Sequence, residues 1–146
     1  MNTEDFVTYE QALALKKLGF VEKCLYYYNA NAQIVANERD YQEEVSVKDL
    51  YTSYNGEYTS YNRVDAPTLA QAQKWLRKEK DIIVLATCDL DYKNGHSWYW
   101  LIDVNFEVED PNRSHNSYEE ALSAGIDKCL KLLENEKTKT SNCRGI

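Results

Sequence analysis

Few side chains in this chain have the types and spacing to do chemistry, and His96 is the first to weigh. It follows Cys88, Asp89 and Asp91, and a hairpin through this stretch would gather a thiolate, two carboxylates and an imidazole, the ligand types of a zinc-like metal. The same stretch turns through Asn94-Gly95, and tight turns use Asp, Asn and Gly for backbone reasons alone. No metal site and no cofactor is assigned to it. His115 stands in the polar loop Asp110 to Asn116, just before a helix cap, where an exposed imidazole is expected. Tyr99, Asp103 and Glu107 share one face of a predicted strand and have the chemistry of acid and base groups, but a half-wet strand demands polar residues at such positions anyway. Cys24, Cys88, Cys129 and Cys143 include no Cys-x-x-Cys pair, so no zinc knuckle or redox motif is written, and buried thiols in a reducing compartment are expected. No Ser/His/Asp set, Cys/His set or glycine-rich phosphate turn is legible, and no catalytic residue is assigned.

The elements that would position any site are better marked. A hydroxyl residue followed three positions later by Gln or Glu, then Ala, occurs at Thr8/Gln11/Ala12, Thr68/Gln71/Ala72 and Ser117/Glu120/Ala121. Each has the form of a capping box, which satisfies two orphan N–H groups reciprocally and starts a helix. The first helix is predicted from Tyr9 to Leu18, ended by Gly19 with Phe20 folding back. The second carries Leu69, Ala72, Trp75 and Leu76 on its buried stripe and ends near Lys80, where Lys74, Arg77, Lys78 and Lys80 suit the negative end of the helix dipole. The third carries an apolar stripe from Tyr118 to Leu133 with Gly125 inside it, which predicts close approach of another backbone. Residues 137–146 read as a flexible polar tail.

Strand patterns fill the intervals. Cys24 to Tyr28 and Gln33 to Ala36 form a predicted hairpin around Asn29-Ala-Asn31. Ile82 to Cys88 is apolar at both parities, as expected for a strand covered on both faces and not at a sheet edge. Ser97 to Val108 alternates, with Trp98, Trp100, Ile102, Val104 and Phe106 on one face, and predicts a single long strand. Residues 37–49 are acidic and poorly periodic and read as a surface excursion. Behind them Tyr51-Thr-Ser-Tyr-Asn55 is echoed by Tyr58-Thr-Ser-Tyr-Asn62 across Asn55-Gly56, a hairpin signal. Tyr51, Tyr54, Tyr58 and Tyr61 would then form a Tyr- and Ser/Thr-rich partner-binding surface, against the plainer reading of a solvated hairpin.

Composition bounds the rest. The 146 residues match one domain, and a net charge of −7 opposes attraction to nucleic acid or anionic lipid. No apolar run approaches the roughly 20 residues that span a bilayer, and the acidic start, Met1 to Phe6, does not read as an export signal. A cytoplasmic protein without nucleic-acid or membrane partners is expected.

Three phrases carry a likeness: Tyr9-Glu-Gln-Ala-Leu-Ala-Leu-Lys-Lys-Leu-Gly-Phe20, Ala66-Pro-Thr-Leu-Ala-Gln-Ala-Gln-Lys-Trp-Leu-Arg77 and Ser117-Tyr-Glu-Glu-Ala-Leu-Ser-Ala-Gly-Ile-Asp-Lys-Cys-Leu130. Together they resemble small uncharacterised proteins encoded by phages, prophages and mobile elements of gut Bacteroidales, over most of the chain apart from residues 37–49. The resemblance implies a cytoplasmic, phage-related setting and contacts with host proteins, and brings no catalytic residue. The expectation is a single α+β domain over 1–146, an antiparallel sheet with three capped helices mainly on one face. The expected function is a non-enzymatic protein-binding or self-associating module. The alternative is a small-molecule binder or enzyme with a pocket between the sheet and residues 37–49, walled by Tyr26, Tyr28 and Trp98.

Overall fold

The structure, a computed structural model, describes residues 2–36, 64–91 and 95–144. The chain divides into two compact units, Phe6–Thr68 on one hand and Met1–Asp5 with Leu69–Ile146 on the other. The described residues form three α-helices and two three-stranded antiparallel sheets, so the class is α+β. The expected excursion 37–49 and the hairpin bearing Tyr51, Tyr54, Tyr58 and Tyr61 lie outside the described residues.

In the Phe6–Thr68 unit, α1 (Tyr9–Lys17) starts on a complete capping box: Gln11 N–H donates to Thr8 Oγ1 at 3.2 Å, and Thr8 N–H to Gln11 Oε1 at 2.9 Å. It ends in a Schellman turn, with Phe20 N–H on Leu15 O, Gly19 N–H on Lys16 O and Gly19 at φ 97°. Strands β1 (Tyr26–Tyr28) and β2 (Ile34–Ala36) form the expected hairpin, and β3 (Val64–Asp65) pairs on the other side of β1, in the order β2-β1-β3. Asn29 Oδ1 ties the turn by accepting from the N–H groups of Asn31 and Gln33. Val7, Leu15, Phe20, Cys24, Tyr28 and Val64 are buried together with Ala12.

Tyr28 puts a polar atom into that core and satisfies it, its hydroxyl donating to the Val7 carbonyl. Burial, and secondarily the charge of Glu10, push the phenol's pKa up. Tyr28→Phe should therefore cost about 1–2 kcal/mol, because it leaves the carbonyl of fully buried Val7 without that donor. Urea unfolding of the two proteins checks this, and equal midpoints would refute it. A raised folded-state pKa also means that Tyr28's contribution is whole below about pH 10 and fades as pH climbs through the folded value.

In the second unit, α2 (Leu69–Glu79) begins directly after Thr68 and buries Leu69, Ala72, Trp75 and Leu76, as the stripe predicts. Its end is closed by Ile82 N–H on Leu76 O at 3.1 Å, with Asp81 at φ 56° where glycine is usual. Lys80 of the basic cluster lies with its ammonium 5.5 Å from the Trp75 ring centre. Strands β4 (Ile83–Asp91), β5 (Gly95–Asp103) and β6 (Glu107–Glu109) follow in the order β4-β5-β6. Helix α3 (Tyr118–Arg144) packs across β4 and β5 and against α2. It runs past Glu136 because no Gly or Pro interrupts the chain before Gly145. No helix among the described residues is long and apolar enough to cross a membrane.

Three strand and packing expectations are corrected. The single strand Ser97 to Val108 is two, because Asn105 takes φ 73° and folds Asp103 back onto Glu107; Asn tolerates that left-handed geometry better than most residues. Phe106, expected inward with Trp98 and Trp100, is therefore at the hairpin tip and exposed. Strand β4, expected away from any edge, is an edge strand among the described residues. Gly125 does meet a close neighbour, but it is side chain and not backbone: a Cβ there would lie 2.8 Å from Val84 Cγ2 and 2.9 Å from Trp100 Cβ.

Candidate interaction surface

Side chains alternate along β4 and β5, and the two parities meet different surroundings. Val84, Trp100 and Ile102 are buried beneath α3, whose Ala121, Leu122, Ile126 and Cys129 are buried in turn. The opposite face holds Ile83, Leu85, Thr87 and Asp89 of β4, paired in register with Asp103, Leu101, Tyr99 and Ser97 of β5. Glu107 and Glu109 of β6 continue the rows beside Asp103 and Leu101. On this outer face Ile83 is 41% exposed and Leu85 50%. Across the sheet it thus changes from aliphatic on β4 to anionic on β6, over about 10 Å for two strand spacings.

The edge of β4 is a weaker candidate than its face. Val84 O points away from β5 and accepts from Gln73 Nε2 of α2 at 2.7 Å, so a helix side chain already occupies the edge there. Covering an edge in this way blunts its tendency to pair with another strand.

A polar clasp fixes the other end of the surface. After β6 the chain stays beside β5: Asp110 N–H donates to Trp100 O, and His115 and Trp98 exchange N–H···O bonds of 3.0 and 3.2 Å. Between these anchors the Asp110 carboxylate, in a residue only 4% exposed, accepts from Asn112 N–H at 2.9 Å and lies 2.8 Å from His115 Nε2. His115 Nδ1 is 3.6 Å from Glu120 Oε1, while Glu120 Oε2 accepts from Asn116 N–H and Ser117 Oγ caps α3 at Glu120 N. The expected capping box is therefore shifted by one residue at the Glu end, freeing that carboxylate to face the imidazole. His115, expected to be exposed, has a side chain only 12% exposed, because Asp110 draws the ring inward.

The clasp resembles the orienting half of a catalytic triad, but the second ring nitrogen faces a carboxylate and not a hydroxyl or thiol, so its chemistry is that of a fastening. Its effect is felt on the outer face. The loop places the Arg113 guanidinium 3.9 Å from the centre of the Tyr99 ring and 3.5 Å from Asp89 Oδ2, and the Arg113 carbonyl accepts from Ser97 Oγ. Arg113 is thus already engaged as a cation at that end.

Tyr26 and Tyr28 lie on β1 in one unit and Trp98 on β5 in the other, and each ring is engaged within its own unit: Tyr26 on Phe6 at 5.1 Å, Tyr28 on Tyr9 at 5.5 Å, Trp98 on Tyr118 at 5.7 Å. Asp89 pairs with Arg113 on the outer face while Cys88, next in the strand, has the opposite parity, so these two candidates lie on different faces. Among the described residues no group of three or more His, Cys, Asp or Glu is arranged to hold a metal ion. Burial pushes the Cys24 and Cys129 thiols up to about 12, for Cys24 with the charges of Asp65 and Glu22 adding, and they stay protonated at neutral pH. The Asp110–His115 pair escaped the sequence because an Asp and a His five positions apart in a polar loop read as solvated; only the register of that loop on β5 buries them. No family model, no curated protein and no solved structure matches the chain.

Proposed function

We propose that this protein is a non-enzymatic protein-binding or self-associating module and that the outer face of β4–β5–β6 is a contact surface. The observation that supports it is the exposure of Ile83 and Leu85 on a strand that is apolar at both parities. Val84 meets α3 on one side, and two large aliphatic side chains on the other side are left to water. Exposed apolar groups gathered on one face and rimmed by charge are characteristic of interaction sites. The resemblance to phage and mobile-element proteins supports a host protein as the partner, in the cytoplasm.

Leu85→Lys tests the surface without testing the fold. The side chain is half exposed, so stability should change by no more than about 0.5 kcal/mol. Recovery of partners from the native host should fall at least roughly tenfold, as for loss of a central anchor. Light scattering on the same pair of proteins checks self-association. Unchanged recovery and unchanged mass would count against this face. The variant Tyr54→Ala, Tyr58→Ala, Tyr61→Ala run alongside would reveal a contribution of the tyrosine-rich stretch.

A further inference from the structure

We infer that the partner of the outer face is an amphipathic helix of another protein, with an aliphatic stripe and Lys or Arg along one flank; this rests on the contact surface proposed above. Three observations carry it. The apolar side chains Ile83, Leu85 and half-buried Leu101 lie on β4 and β5, and the carboxylates Asp103, Glu107 and Glu109 lie on β5 and β6 of the same face. Asp103 and Glu107 stand directly opposite one another, and like charges in that position repel. Among the described residues no cation pairs with these three carboxylates, while Arg113, the cation seen on this face, is engaged with Asp89 and Tyr99.

The face therefore keeps a cross-strand repulsion that a row of ammonium or guanidinium groups would relieve, next to apolar area that an aliphatic stripe would cover. A helix fits this geometry because a sheet face is covered by helices or by another sheet, whereas a single strand pairs on an edge, and Gln73 occupies the edge at Val84. The inner face of the same sheet is covered in this way by α3. A second copy of the chain is the poorer occupant. It would bring another set of the same carboxylates to the face, on a protein whose net charge is already −7.

The probe is a synthetic 18-residue helical peptide with a Leu stripe and Lys on one flank, titrated by fluorescence polarisation at about 100 mM salt. One control peptide has Glu on the flank and another has Ser for Leu. The Lys peptide should bind saturably at one per chain, and both controls should bind at least roughly tenfold more weakly. Asp103→Asn with Glu107→Gln and Glu109→Gln should weaken the Lys peptide roughly tenfold, and Leu85→Lys should do the same. Removing equal charge elsewhere, by Glu4→Gln, Asp5→Asn and Glu10→Gln, should leave it within about twofold. No saturable binding, equal binding of the Glu peptide, or equal weakening by the two triple variants would each overturn the inference. Host partners lost on Leu85→Lys but kept by the Asp103, Glu107 and Glu109 variant would overturn the basic helix and leave the surface standing; partners kept by both would remove the surface as well.

Discussion

Gly125→Leu should destabilise the protein by about 3 kcal/mol, and Gly125→Ala by about 1. The glycine is inside α3, where replacing it by Ala gains about 1 kcal/mol of helix propensity when nothing is in the way. Here the added Cβ would sit 2.8 Å from Val84 Cγ2, 2.9 Å from Trp100 Cβ and 3.2 Å from Trp100 Cγ. Val84 Cγ2 is a side-chain end, but Trp100 Cβ is fixed to the backbone of the central strand, whose partners on both sides hold it in place. Helix and sheet must therefore separate, and overpacking of this kind costs about 1–3 kcal/mol or more, which exceeds the propensity gain. Leucine adds three more carbons to the same contact. Urea unfolding followed by far-ultraviolet circular dichroism measures both variants. A Gly125→Ala protein more stable than wild type by the full propensity gain would show that α3 does not lie this close to Trp100.

Asp110→Ala should cost about 3 kcal/mol and release the loop that carries Arg113. The carboxylate is buried and takes up His115 Nε2, Asn112 N–H and, at 3.4 Å, Trp100 N–H. Removing it leaves these donors in a place that water reaches poorly, at about 1–3 kcal/mol for an orphaned buried group and more for a broken buried pair. Asp110→Asn keeps the shape and one acceptor oxygen and should lose less. The pair acts as a unit, so Asp110→Ala and His115→Ala combined should cost less than the sum of the two by about 1 kcal/mol or more. Strictly additive losses would dissolve the clasp. Tyrosine and tryptophan near-ultraviolet signals should change as well, because Arg113 leaves the Tyr99 ring and the Trp98 backbone loses its partner.

Gly125 was legible in the sequence as a helix glycine requiring a reason, and its close neighbours supply one, although they are side chains of the sheet. Asp110 and His115 were present as residues in a polar loop with no reason attached. Burial of a carboxylate and an imidazole depends on where the loop runs, and its register against Trp98 and Trp100 is set by pairs far apart in the chain.

Local chemistry explains what could be read beforehand. Thr8 with Gln11, Gly19 after Leu18, the stripe Leu69, Ala72, Trp75 and Leu76, and Ser117 ahead of α3 all act within a turn or two of backbone, where hydrogen-bond geometry and side-chain period leave few choices. The α+β class follows from the alternation of those helices with strand-period segments. Other features were beyond such reading. Whether Ser97 to Val108 is one strand or a hairpin turned on the φ of Asn105, which the alternation conceals. Among the described residues strand order put β4 at the edge although its composition suits a centre, because composition records how much apolar surface a strand carries and not which neighbour covers it. By itself the sequence determined where the helices begin, where the first two end and which stripes those two bury, but not that α3 continues to Arg144. Only the tertiary structure decided that Ile83 and Leu85 meet water beside three carboxylates that no cation pairs with among the described residues, since exposure and charge contact depend on pairings between distant residues.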